Sequence, residues 1–99
     1  MNKVISYLGF AKRANKIITG QTALRKTKLS LTLVLVCSSA SENLVNLAKN
    51  LAVKHNCEYI ITKISLAELI KQPDIKIVGI LDENLSKAII DNKEKISIG

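Results

Sequence analysis

The stretch Leu31-Thr32-Leu33-Val34-Leu35-Val36-Cys37 is continuously apolar and β-branched, with no alternation of polar and apolar positions. A strand with one wet face alternates, whereas one that does not alternate must be covered on both sides, as in a parallel sheet with helices on its two faces. This run therefore belongs at the centre of a sheet. Its longest uninterrupted apolar part, Leu33 to Cys37, falls far short of the roughly 20 residues that cross a bilayer.

The flanking segments supply the helical layers. Val4, Ile5, Leu8 and Ala11 fall at helical spacing and predict a helix over 2–13, with Lys3, Lys12 and Arg13 left to water. Asn15, a residue that tolerates the left-handed conformation, closes that helix, and Lys16-Ile17-Ile18-Thr19 reads as a short strand. Gly20 then opens a short basic helix over 21–29. Beyond the central strand, Ser39-Ala40-Ser41-Glu42 offers a capping box, and Leu44, Leu47, Ala48, Leu51 and Ala52 carry a helix to His55. Tyr59 to Thr62 is a second covered strand, followed by a second capping box, Ser65-Leu66-Ala67-Glu68. Gln72-Pro73-Asp74 makes a turn before a strand over Ile75 to Leu81, and Asp82 caps a last helix running to about Ile90. Strict alternation of helix and strand predicts the α/β class: a three-layer α/β/α sandwich around a small mixed or parallel sheet. At 99 residues the chain fits one domain over 1–99, able to bury a core without disulfides or a structural metal.

Several chemistries lack their residues. Glycines stand only at 9, 20, 79 and 99, so no dinucleotide fingerprint and no phosphate loop of the GxxxxGK kind is present. His55 is the sole histidine, expected at a solvent-exposed helix end; Cys37 and Cys57 read as separate buried thiols rather than a redox pair or metal site. Asp82-Glu83 follows a strand end, where enzymes of this class often hold functional groups, but capping the next helix explains Asp82 without catalysis. No enzyme activity, cofactor or metal is expected. The apolar patch from Val4 to Ala11 lacks a small-residue cleavage site and runs directly into Lys12-Arg13, which is unlike a signal peptide and points to the cytoplasm.

Charge points to a partner. Residues 1–56 hold nine Lys/Arg and one acid, while residues 57–99 hold six Lys/Arg and seven acids; the first 41 residues contain no Asp or Glu at all. Such polarity raises a positive potential over one part of the surface and attracts phosphates. The densest part is Ala11 to Lys28, where Lys12, Arg13, Lys16, Arg25, Lys26 and Lys28 surround Gly20, with Gln21 and Thr22 as neighbouring hydrogen-bonding side chains. A glycine at a strand-to-helix junction lets a ligand approach the backbone, and a helix start offers N–H groups to phosphate. Only Tyr7, Phe10 and Tyr59 are aromatic, so base stacking is not the expected mode; shape and phosphates of a structured RNA are.

The run Tyr7-Leu8-Gly9-Phe10-Ala11-Lys12-Arg13-Ala14-Asn15-Lys16-Ile17-Ile18-Thr19-Gly20, with Leu33 to Val36, Ala40-Ser41-Glu42-Asn43 and Ile77 to Asn84, resembles the bacterial YlxQ proteins of the ribosomal L-seven-Ae and L-thirty-e superfamily. The resemblance covers nearly the whole chain. It implies an α/β/α sandwich, no enzyme activity, and a small RNA-binding, ribosome-associated protein. Together with the charge placement, the expectation is a monomer that binds structured, ribosomal RNA, with ribosomal proteins as further partners. In the superfamily's kink-turn binders a glycine is followed two residues on by Asn-Glu and one turn later by lysine. Gly20 and Lys26 match the glycine and the lysine, while Thr22-Ala23 stands in place of the Asn-Glu pair, which leaves backbone-dominated RNA binding as the implied mode. A second superfamily contact comes from the loop before the fourth strand, here around Ile70 to Lys76, with Lys71 and Lys76 as its cations. Two other readings of the basic segment remain open: a protein-interaction module docking on an acidic partner, and a substrate-binding domain of the kind carried by RNA methyltransferases.

Overall fold

A computed structural model describes residues 3–97. Along the described residues the elements are α1 (Lys3–Arg13), β1 (Ile17–Thr19), α2 (Gln21–Lys26), β2 (Leu33–Cys37), α3 (Glu42–His55), β3 (Glu58–Thr62), α4 (Leu66–Ile70), β4 (Ile77–Ile80) and α5 (Glu83–Asp91), with a last 3₁₀ turn at Lys93–Lys95. The alternation expected from the sequence is present. Asn2, where the first helix was expected to begin, lies outside the described residues.

The strands lie in the order β1-β4-β2-β3. β4 runs antiparallel to both its neighbours, with Gly79 opposite Ile18 on one side and Val34 on the other, and β2 and β3 run parallel with Leu35 opposite Ile60. The sheet is therefore mixed. β2 is an inner strand with every residue buried, as its lack of alternation requires. Successive side chains leave a strand on opposite faces, so each inner strand feeds two cores. Leu33, Leu35, Val78 and Ile80 pack with Val4 and Leu8 of α1, Leu66 and Leu69 of α4 and Ile89 of α5. Val34, Val36 and Ile77 pack with Leu24 of α2 and Ala48 and Leu51 of α3. The result is a three-layer α/β/α sandwich with α1, α4 and α5 on one face and α2 and α3 on the other.

Helix ends follow local chemistry. After α1, Asn15 adopts φ 57°, and the Lys16 N–H donates to Ala11 O at 2.8 Å, a left-handed closure that turns the chain into β1. Asn56 closes α3 in the same conformation, and the Cys57 N–H donates to Ala52 O at 2.9 Å. Asp82 caps α5 as expected, accepting from the Leu85 N–H at 3.0 Å. Other boundaries move. Ser41, not Ser39, caps α3 by accepting from the Leu44 N–H, because the Ala40 N–H is held in a turn by Cys37 O at 2.9 Å. Ser65 stands at the cap position of α4 without a side-chain bond. α2 ends at Lys26, three residues early. There Thr27 is extended and its hydroxyl accepts from the Leu29 N–H at 3.1 Å, a local bond that competes with helix continuation.

Candidate nucleic-acid interface

Gly20 joins β1 to α2 at φ 87° and ψ 151°, a region open almost only to glycine. Its N–H donates to Ile77 O at 3.0 Å, so that amide completes the sheet and is not available to a ligand. The six-residue helix that follows is anchored by one buried residue, Leu24. Leu24 sits over Gly79: a Cβ there would lie 2.7 Å from the Cδ2 atoms of both Leu24 and Leu31. Glycine at 79 thus lets α2 lie close against the sheet, with Gln21, Thr22, Arg25 and Lys26 exposed on its outer side.

The expected cations distribute over three places. Gln21 and Arg25 come together in a groove of about 460 Å³ between α2 and α3. Lys16 lies at the opposite end of the sheet from Gly20: the Leu81 N–H donates to Lys16 O while the Gly20 N–H donates to Ile77 O. The three residues of β1 separate the two, so four steps along the strand put them about 13 Å apart at roughly 3.3 Å per residue. From Gly20 the chain returns toward that end, reaching it where the Thr32 N–H donates to Ile80 O at 2.8 Å. Lys26 and the exposed Lys28 lie along this return, Lys28 on a loop rather than on the helix expected through residue 29. Lys12 and Arg13 belong to the other helical layer. They line a groove with Leu69 and Lys71 of the α4 end, where the Lys12 ammonium donates to Ile70 O at 3.0 Å.

The far wall of the α2–α3 groove is formed by Asn43, Asn46 and Asn50, all exposed on α3. Their spacing puts them on one helix face, opposite the buried Ala48, Leu51 and Ala52. Sequence reasoning tracked the apolar face of this helix and passed over the amides. The signal was there: asparagine is a poor helix former, yet three stand within fourteen helical residues.

Elsewhere the chemical groups are tied into the fold. His55 is half-buried rather than solvent-exposed, because its Nδ1 accepts the Leu31 N–H at 3.2 Å. That bond assigns the ring proton to Nε2, which is buried without a hydrogen-bond partner. Cys37 and Cys57 are free thiols. Burial raises the Cys37 thiol, but hydrogen bonds from Ser39 and Leu66 and the charge of Lys76 outweigh it and leave the thiol below its ordinary pKa. Burial, with Glu58 beside it, pushes Cys57 up. Among the described residues no three His, Cys, Asp or Glu side chains gather as a metal donor set, and no helix is long and apolar enough to cross a membrane.

No protein-family model matches the chain, and no curated protein does. Among solved structures it is similar to a protein of unknown function from Bacillus halodurans C, with a TM-score of 0.79 and 20% identity over 95% of this chain and 99% of that one. At that identity the likeness concerns the fold.

Proposed function

We propose that this chain is a cytoplasmic, ribosome-associated RNA-binding protein that works as a monomer and holds structured RNA through the surface around α2. The observation that carries the reading is charge placement. Arg25, Lys26 and Lys28 are exposed on α2 and the loop beyond it, and Lys16 is exposed at the far end of β1, all within the first 41 residues, which hold no acid. Phosphate backbones are the partners such a field favours, and counterion release supplies most of the affinity. The resemblance to YlxQ proteins supports the same reading, as does the absence of stacking aromatics from the segment. The RNA would be held mainly by its backbone, with Arg25 suited to bidentate contact with a phosphate and the lysines acting as point charges.

The test is binding of the purified protein to ribosomal subunits and to total RNA across a salt series, followed by sequencing of crosslinked RNA. A variant with Lys16, Arg25 and Lys26 all replaced by Ala should lose binding while keeping its melting temperature, since all three side chains are exposed. Absence of RNA binding at low salt would transfer the basic surface to an acidic protein partner.

A further inference from the structure

We propose that the groove between α1 and α4, on the opposite face of the sheet from α2, docks an acidic amphipathic helix of a partner protein. Lys12 and Arg13 of α1 and Lys71 at the end of α4 line it, and among the described residues no carboxylate does. Three cations around one groove repel one another until a partner brings opposite charge. The Lys12 ammonium is held there by its bond to Ile70 O at 3.0 Å and keeps two further N–H donors for an incoming carboxylate. Apolar groups at the same place favour a protein over a nucleic acid. Ile5 lines the groove with 42% of its surface exposed, together with the nearly buried Leu69. A phosphate backbone would lay charge on these aliphatic carbons, and no aromatic ring lines the groove to stack a base. The apolar stripe of an amphipathic helix buries them, while the acids beside that stripe meet the cations.

Gly9 supplies a second, independent observation. It lies inside α1, where glycine costs stability relative to alanine, and it lines the same groove. A Cβ there would meet nothing within 4 Å, so packing within the chain does not require the side chain to be missing. Gly79 is the contrast: there Leu24 and Leu31 fill the space a side chain would need. The bare backbone at Gly9, between Ile5 and Arg13, lets a second helix approach closely, because the side chains at the contact set how near two helices pack. A cavity of about 380 Å³ then receives the apolar side chains that such a helix turns toward Ile5 and Leu69.

The experiment titrates the isotope-labelled full chain with a synthetic amphipathic helical peptide of leucine, alanine and glutamate, and separately with ribosomal RNA, and follows the backbone amides by NMR. The variants are Gly9→Leu, and Arg13→Glu combined with Lys71→Glu. Leucine is a better helix former than glycine and enters open space, so Gly9→Leu stays folded, and a raised melting temperature verifies it. In the wild type the peptide should shift the amides of Gly9, Lys12 and Lys71 and leave those of α2 in place. Gly9→Leu should abolish these shifts by filling the groove. The charge-reversed variant should bind the peptide roughly tenfold more weakly, since two exposed attractions of a few-fold each become repulsions. Absence of peptide binding to the wild type, or binding unchanged in either variant, overturns the proposal. Ribosomal RNA that shifts the groove amides while the peptide does not would assign the groove to nucleic acid and overturn it equally. The RNA surface around α2 is tested separately by its own triple-alanine variant, so neither result decides the other.

Discussion

At Gly20 a backbone of φ 87° and ψ 151° sits in open space, with no atom within 4 Å of where a Cβ would be. Any cost of adding a side chain is therefore conformational and not steric crowding from neighbours. Gly20→Ala should destabilise the protein by about 1–3 kcal/mol, the cost of holding an L-residue in a sparsely populated region. Urea unfolding measures it, and an unchanged midpoint would mean that the β1–α2 junction relaxes at no cost. The same physics has the opposite sign at Lys71. That residue ends α4 at φ 57° with its side chain exposed, and unlike Asn15 and Asn56 it has no short polar side chain that eases the left-handed region. Lys71→Gly should stabilise by roughly 0.5–1 kcal/mol, the relieved strain exceeding the added freedom of the unfolded chain. For a domain of this size the melting temperature should rise by a few degrees, and a fall would show that the Lys71 stem contributes packing against Arg13 and Leu69 in their shared groove.

Between elements, the closest fit is α2 against the sheet. An added methyl at Gly79 would press on Leu24 and Leu31, both nearly fully buried, so the ends of both side chains must shift to admit it. Gly79→Ala should cost about 1–3 kcal/mol, visible as a lower urea midpoint with an unchanged slope, as overpacking generally does. A neutral result would mean that α2 can lift from the sheet. This packing was not legible in the sequence, because a lone glycine in a strand does not say which helix covers it. The elements themselves were legible wherever one local rule dominated. β2 announced its double burial by failing to alternate, and Asp82 stood where a cap was needed. Where two local bonds compete, sequence position does not choose between them: Ser39 and Ser41 both precede α3, and Thr27 diverts its hydroxyl to Leu29. Strand order was hidden for a different reason. The pattern of Ile77 to Ile80 records burial on both faces but not that β4 inserts between β1 and β2 with opposite direction to both.

Over the whole molecule, charge was the most legible property and its geometry the least. Arg25 and Gln21 do face a groove, but strand length carries Lys16 to the other end of the sheet, and Lys12 and Arg13 belong to the opposite layer. The asparagines of α3 escaped notice because polar residues on the wet face of a helix look like ordinary solvation. A spread of cations still has a quantitative consequence. If Lys16, Arg25, Lys26 and Lys28 neutralise about four phosphates, log affinity should fall against log salt with a slope of roughly −2.8 for single-stranded contacts to −3.6 for duplex contacts. Removing three of the four in the Lys16, Arg25 and Lys26 triple-alanine variant should flatten it to about −0.7 to −0.9 by the same proportionality. Fluorescence titrations of wild type and variant against ribosomal RNA over a range of potassium chloride read both slopes. A wild-type slope near zero would mean that these side chains meet no phosphates. A variant slope equal to the wild type's would place the RNA elsewhere, with the Lys12–Lys71 groove of the opposite layer as the next surface to mutate.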